Sequence, residues 1–248
     1  MKTSGLLYGL MLLGLLQAHG SRAQAIKPDS SFLALASAKM ASLQLEDPDN
    51  SSHLYNGAEY VHYERMYTHV EGHQFFQTTE LQPGDIYYDG ALYHNIPLLY
   101  DIKLDQVVLK FPKSPLQLKL VNEKLMSFTV NQHTFVRLVG DNTAKAAVPT
   151  GFYDVRLEGK TRVLARRIKK ANETITTTGV ELSFDEADKF YVEKGGVVYP
   201  ISGKGAFVAV LEDKKKELRK YISTQKLKFT KEQQEASFIK LAQYYNTL

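Results

Sequence analysis

Asp85-Ile86-Tyr87-Tyr88-Asp89-Gly90-Ala91-Leu92-Tyr93 decides the fold. It is followed by Asn95-Ile96-Pro97-Leu98-Leu99-Tyr100-Asp101 and, past Leu104-Asp105, by Val107-Val108-Leu109-Lys110-Phe111. Asp-Gly between two apolar, aromatic runs is a strong hairpin signal, because a type I′ turn needs positive φ at both central residues. A second turn at Leu104-Asp105 puts two hairpins in series between Gly84 and Phe111, which predicts an antiparallel sheet.

The flanking segments extend that sheet. Upstream, Tyr60, His62 and Glu64 alternate with Val61, Tyr63 and Arg65 as a strand would, and Gln74 to Phe76 is a further short strand. Downstream, Leu116, Leu118 and Leu120 alternate with Gln117 and Lys119. Met126 to Val130 and Phe135 to Leu138 are joined at Asn131-Gln132-His133. The segment 140–150 is poor in apolar residues and is the place for a lobe boundary. Beyond it, Tyr153, Val155 and Leu157 alternate with Asp154 and Arg156, Glu158-Gly159-Lys160 turns, and Arg162 to Ile168 returns. Ala171 to Gly179 reads as a polar, threonine-rich connection. Lys194-Gly195-Gly196 closes a third hairpin between Phe190-Tyr191-Val192 and Val197-Val198-Tyr199. Phe207, Leu211, Leu218 and Ile222 follow a helical period, and Thr230 and Gln233 have capping-box spacing before a last helix carrying Ala236, Ile239 and Leu241. The expected fold is α+β: a many-stranded antiparallel sheet, curved or closed in part into a barrel, with a short N-terminal helix over Ser31–Leu43 and a C-terminal helix pair from about residue 203. A two-sheet sandwich is the alternative.

The chain opens with the pattern of an export signal. Lys2 supplies the positive end, Leu6 to Leu16 an apolar run too short to span a bilayer, and Ala23-Gln24-Ala25 a small-residue cleavage site. The expected division is a signal peptide over 1–25, an N-terminal helix and linker over 26–52, and one β-rich domain over 53–248. A cut after Gly20 is the alternative. No later stretch approaches the apolar length of a membrane helix, about 18 residues. Cysteine is absent, which excludes disulfides, thiolate metal sites, a cysteine nucleophile and lipid attachment through cysteine. A cysteine-free exported chain fits a bacterial envelope, periplasmic or at the cell surface. Charge is uneven: Ile26 to Asp101 holds 3 basic and 11 acidic residues, and the rest carries a basic excess. The overall excess is too small for a nucleic-acid binder.

Tyr55-Asn56-Gly57-Ala58-Glu59-Tyr60, Gly72-His73-Gln74-Phe75-Phe76, Tyr87-Tyr88-Asp89-Gly90, Pro97-Leu98-Leu99-Tyr100-Asp101, His133-Thr134-Phe135-Val136-Arg137 and the run Asp213 to Tyr221 occur in this order. Together they resemble an uncharacterised family of exported proteins from Bacteroidetes-type bacteria. The resemblance covers most of the chain after the signal. It implies export and carries over no activity, cofactor or site residue.

Three groups of residues carry chemistry. His62, His69, His73 and His94 lie in an acidic stretch and are candidate ligands for zinc or a similar ion, with spacings unlike any helical zinc motif. Tyr87, Tyr93 and Tyr100 would form a platform for a sugar, peptide or protein if they shared an exposed face. Lys214, Lys215, Lys216, Arg219 and Lys220 are a candidate contact for an anionic surface. No nucleophile elbow, phosphate loop or catalytic Ser-x-x-Lys appears. The sequence therefore points to a non-enzymatic envelope protein that binds or scaffolds an unidentified ligand or protein and needs no cofactor. A metal-dependent or glycan-processing hydrolase, using carboxylates such as Asp85, Asp89 and Asp101, is the alternative.

Overall fold

The structure is a computed structural model that describes residues 51–140 and 148–248. The expected signal peptide and the helix over Ser31–Leu43 lie outside the described residues. Asp89 and Gly90 both have positive φ, 51° and 83°, as a type I′ turn requires. They join β3 (Gln82–Tyr88) to β4 (Ala91–Asp101), pairing Tyr88 with Ala91 and Ile86 with Tyr93. From this hairpin the sheet grows both ways. On one side lie β5 (Gln106–Lys110), β6 (Gln117–Lys119) and, at the edge, β1 (Ala58–Glu59). On the other lie β7 (Leu125–Val130), β8 (His133–Leu138), β9 (Gly151–Leu157), β10 (Thr161–Arg166), β13 (Lys189–Lys194) and the opposite edge β14 (Val197–Ile201). All neighbours in this 11-stranded sheet are antiparallel.

The edge strands β1 and β14 do not pair, so the sheet does not close into a barrel. It curls strongly nonetheless. β4 and β9 are four strand spacings apart in the order, about 19 Å in a flat sheet. The rings of Tyr100 and Phe152, on those strands, have centroids 6.2 Å apart. The backbone N–H of Phe152 donates to Asp105 in the β4–β5 turn, at 3.3 Å to Oδ2. Inside the curl Tyr100, Phe128, Phe135 and Phe152 pack edge-on and stacked, with Ile86, Tyr88, Leu98, Val107 and Leu109 around them, all buried. Gly84 sits where two strands meet too closely for a side chain: a Cβ there would lie 1.9 Å from the Thr129 carbonyl oxygen.

The second core lies under helices. Val163, Ala165, Phe190 and Val192 face the C-terminal helices, of which there are three rather than the expected pair. Residues Lys204–Val210 form a first helix, and the chain turns at Leu211 through a 3-10 turn over Glu212–Lys214. A second helix covers Lys215–Thr224 and a third Gln234–Asn246. With the short helix Ser51–Leu54 counted as α1, these are α2, α3 and α4. The break has a local cause: Asp213 accepts from Lys194 Nζ at 2.5 Å and from the Tyr245 hydroxyl at 2.9 Å, which pins the turn against β13 and α4. Phe238, Leu241, Ala242 and Tyr245 recur at helical spacing on the buried side of α4, and Phe207 of α2 stacks on Phe238 at 5.4 Å. Burying each such ring contributes about 1.5–3 kcal/mol.

Two further expectations are corrected. The segment 60–65 is not a strand: Tyr63–Met66 is a 3-10 turn, because the hydroxyls of Tyr60 and Tyr63, three residues apart, both donate to buried Asp101. Ala171 to Gly179 is not a connection but mostly β11 (Lys169–Thr176). It pairs with β12 (Gly179–Glu186), which pairs in parallel with β2 (His69–Glu71) in a separate three-stranded sheet. Most of β11 is exposed, so it carries no apolar alternation.

Candidate functional site

The proposed tyrosine platform is not one surface. Tyr100 is fully buried inside the curl. Tyr93 pairs with Ile86 on the same side of the sheet and packs, half-buried, against the edge of that core. Tyr87 falls between the buried Ile86 and Tyr88 on β3 and points to the opposite side. The histidines also disperse. His62 contacts Glu64 at 2.9 Å, and His94 lies 3.2 Å from Asp85. His73 stacks on Phe75, with burial and the Lys169 charge lowering its pKa. His69 is exposed on β2. Among the described residues no three His, Asp or Glu side chains gather as a metal site would require.

Two places bring charged groups together. The first is a buried ionic network. Registers across the large sheet align Tyr93, Ile86, Phe128, Phe135, Asp154, Ala165, Phe190 and Ile201 in one row over eight strands. Asp154, fully buried, is its polar member, standing where the two cores meet. Arg167 answers it. Its Nε and Nη2 donate to Asp154 Oδ2 at 2.8 and 2.6 Å, Nη1 to Asp188 at 2.7 Å, and Nη1 and Nη2 to Glu235 at 2.8 Å each. Arg156 Nε donates to Glu235 Oε1 at 2.6 Å. Nδ1 of His133 lies 2.8 Å from Asp154 and 3.0 Å from Arg156. Burial opposes the charge of Arg167, but hydrogen bonds and charge from Glu235, Asp154 and Asp188 hold its pKa above the ordinary value. The network ties β8, β9, the segment after β10 and α4 together. Within the network, Asp154 Oδ1 has no hydrogen-bond partner among the described residues. We read this cluster as structural: its charges are matched against one another.

Its pH response has a definite sign. Burial works against Glu235 ionising, but Arg167 and Arg156 lower its pKa below the ordinary 4.5. The stability it contributes is therefore full above that value and is lost as pH falls through the depressed folded-state value. Asp101 and Asp105 run the other way. Burial raises both, so their charged forms cost stability at neutral pH and that cost is relieved in acid. Glu235→Gln should lower stability at pH 7 by about 1.5–3 kcal/mol, the range for hydrogen bonds to charged groups. It should also shrink the loss between pH 7 and pH 3. Urea midpoints at the two pH values check both; an unchanged pH dependence would contradict the assignment.

The second place is concave and uncompensated. α2 and α3 enclose a groove of about 470 Å³ lined by Lys204, Gly205, Val208, Ala209, Lys215, Arg219, Ile222 and Ser223. The volume falls within the usual range for small-ligand sites, about 300–1,000 Å³. The geometry follows from helical spacing. Positions 204 and 208, and 205 and 209, are one turn apart on α2, while 215, 219, 222 and 223 share one face of α3. Val208 and Ile222, both buried, and Ala209, which is exposed, make up the groove's apolar lining. Lys204, Lys215 and Arg219 are exposed at its sides. Among the described residues no acidic residue lines the groove and none pairs with these three cations. Lys215 and Arg219 are a like-charge pair at i, i+4, an arrangement that costs an isolated helix about 0.2–0.5 kcal/mol.

Part of this groove was legible in the sequence. Lys215 and Arg219 belong to the basic run singled out there; Lys214, Lys216 and Lys220 do not line it, and Lys204 joins from a different helix. The ionic network went unseen because its members are scattered from His133 to Glu235 and because Asp154 and Arg156 occupy the positions that strand alternation gives to solvent. Comparison with protein families, with curated proteins and with solved structures finds no match to this chain.

Proposed function

We propose that this is an exported, non-enzymatic binding protein of a bacterial envelope that holds an anionic amphiphile at its helical end. The observation that carries the reading is the α2–α3 groove, where three cations with no acidic partner among the described residues share the lining with Val208, Ala209 and Ile222. Cations without acidic partners attract an anion, and the apolar lining offers a contact that a simple ion would not use. The pattern over residues 1–25 supports export.

Two measurements test the reading. The intact mass of the protein recovered from the envelope fraction should correspond to a chain starting at Ile26. The purified protein should co-sediment with vesicles containing phosphatidylglycerol at low ionic strength and much less so with phosphatidylcholine alone. Pelleting should weaken at physiological salt as the screening length shortens from about 30 to about 8 Å. Equal pelleting with both vesicle types, or none with either, would remove the proposal.

A further inference from the structure

We propose that the α2–α3 groove selects the dianionic head of a phosphate monoester bearing an apolar tail, and holds it as a discrete one-to-one ligand. This deepens the anion-binding reading above and rests on it. The first argument is charge. Lys204, Lys215 and Arg219 place three positive charges around one cavity with no acid among the described residues of its lining. A carboxylate or a sulfate ester carries a single negative charge and leaves two of the three cations unmatched. A phosphate monoester carries about −1.5 to −2 at neutral pH and offers three strong acceptor oxygens. The second argument is donor geometry. Two ammonium groups supply point charges from opposite helices, and one guanidinium supplies a planar fork suited to two phosphate oxygens; the Ser223 hydroxyl on the same face of α3 is already engaged, donating to the Arg219 carbonyl at 3.1 Å. The third is the apolar share of the lining: Val208, Ala209 and Ile222 line the same groove as the cations and give an alkyl substituent an apolar contact.

The retained like-charge pair adds to this. Lys215→Glu would convert an i, i+4 repulsion with Arg219 into an attraction in the favourable orientation, acid N-terminal to base. The variant should be slightly more heat-stable than the natural chain and yet lose binding, which separates a role in binding from a role in folding.

Titration of the ligand gives the decisive test. Among the described residues the polar lining of the groove is Lys204 from α2 and Lys215, Arg219 and Ser223 from α3, with no histidine or carboxylate. A phosphate monoester gains its second charge with a pKa near 6. Isothermal titration with dodecyl phosphate, dodecyl sulfate and dodecanoate, each below its critical micelle concentration, should give one site. Dodecyl phosphate should be the tightest at pH 7.5. Its Kd should fall about fivefold or more from pH 5.0 to 7.5, while that of dodecyl sulfate stays flat. Lys204→Gln and Arg219→Gln should each weaken it about tenfold. Lys216→Gln and Lys220→Gln, which lie outside the groove, should leave it within twofold. Melting curves of these exposed-site variants verify folding. Displacement of dodecyl phosphate by vesicles containing phosphatidic acid identifies a lipid head group as the source, and its retention identifies a free ester; either satisfies the assignment. Inorganic phosphate binding as tightly as dodecyl phosphate overturns the apolar contact. Equal binding of all three dodecyl anions with no pH effect overturns the phosphate assignment while leaving anionic binding intact. Failure of all three, together with no pelleting on anionic vesicles, removes both.

Discussion

Arg167→Met should cost about 3–5 kcal/mol and lower the urea midpoint by about 1–2 M, the effect expected when one member of a buried ionic group is removed and the others stay behind. Methionine keeps much of the volume but none of the donors. Asp154 would retain only His133 within hydrogen-bond distance, with Arg156 at 3.7 Å, in a site with no water contact. Asp188 and Glu235 are about a quarter exposed and can turn toward solvent, so the penalty concentrates on Asp154. Pairing the change with Asp154→Leu should therefore recover more than half of the loss. Leucine at that position would continue the row that runs from Phe135 to Ala165. A single variant costing under about 1 kcal/mol, or a double variant as poor as the sum of its parts, would show that the network does not hold the two cores together.

Phe135→Ala is the second large effect, at about 3–5 kcal/mol. Phe135 is fully buried and meets Phe128 in a stack at 4.9 Å, Tyr100 edge-on at 4.9 Å and Phe76 edge-on at 5.2 Å. Phe128 is its cross-strand partner on β7, Tyr100 comes from β4, and Phe76 comes from the segment before β3 whose N–H donates to the Tyr100 carbonyl, so the surrounding backbones are fixed by their own hydrogen bonds. The space cannot collapse without unbending the sheet, so the cavity cost adds in full to the lost transfer energy. Thermal unfolding of the variant, compared with Tyr199→Ala on the exposed edge strand, reads the difference. Similar melting shifts for the two would mean that the curl is not the core.

The extent to which the fold was legible follows from which signals are local. The Asp89-Gly90 and Gly195-Gly196 turns carry their conformation in two residues each, and both hairpins form with the expected partners. Curvature is not local: it appears only when Tyr100 and Phe152 are found in contact across four strands. Alternation also misleads where a strand is covered on both sides. On β9, Tyr153 and Asp154 are both fully buried on opposite faces of the sheet, Tyr153 in a further apolar cluster with Val136, Leu138, Leu164 and Tyr191, so the rule that alternate polar residues meet solvent fails there. At 60–65 the residues alternate, but Asp101 collects the two tyrosine hydroxyls and imposes a tighter turn. The basic run was visible as composition; that only two of its members face a cavity, and that a lysine from the preceding helix completes it, depends on the break at Leu211.

β10 and β13 lie side by side although β11 and β12 come between them in the chain. The excursion is fastened at its base, where the Ala187 N–H donates to the Ile168 carbonyl at 2.9 Å and the Ile168 N–H to Asp188 at 3.1 Å. The far turn, Thr177-Thr178, projects away from that clasp. The outer strand β12 is held besides by β2 and by the Thr68 N–H, which donates to the Val180 carbonyl at 3.0 Å, so a fluorophore or epitope spliced in at Thr177-Thr178 enters an exposed turn whose flanks stay anchored to the parent scaffold.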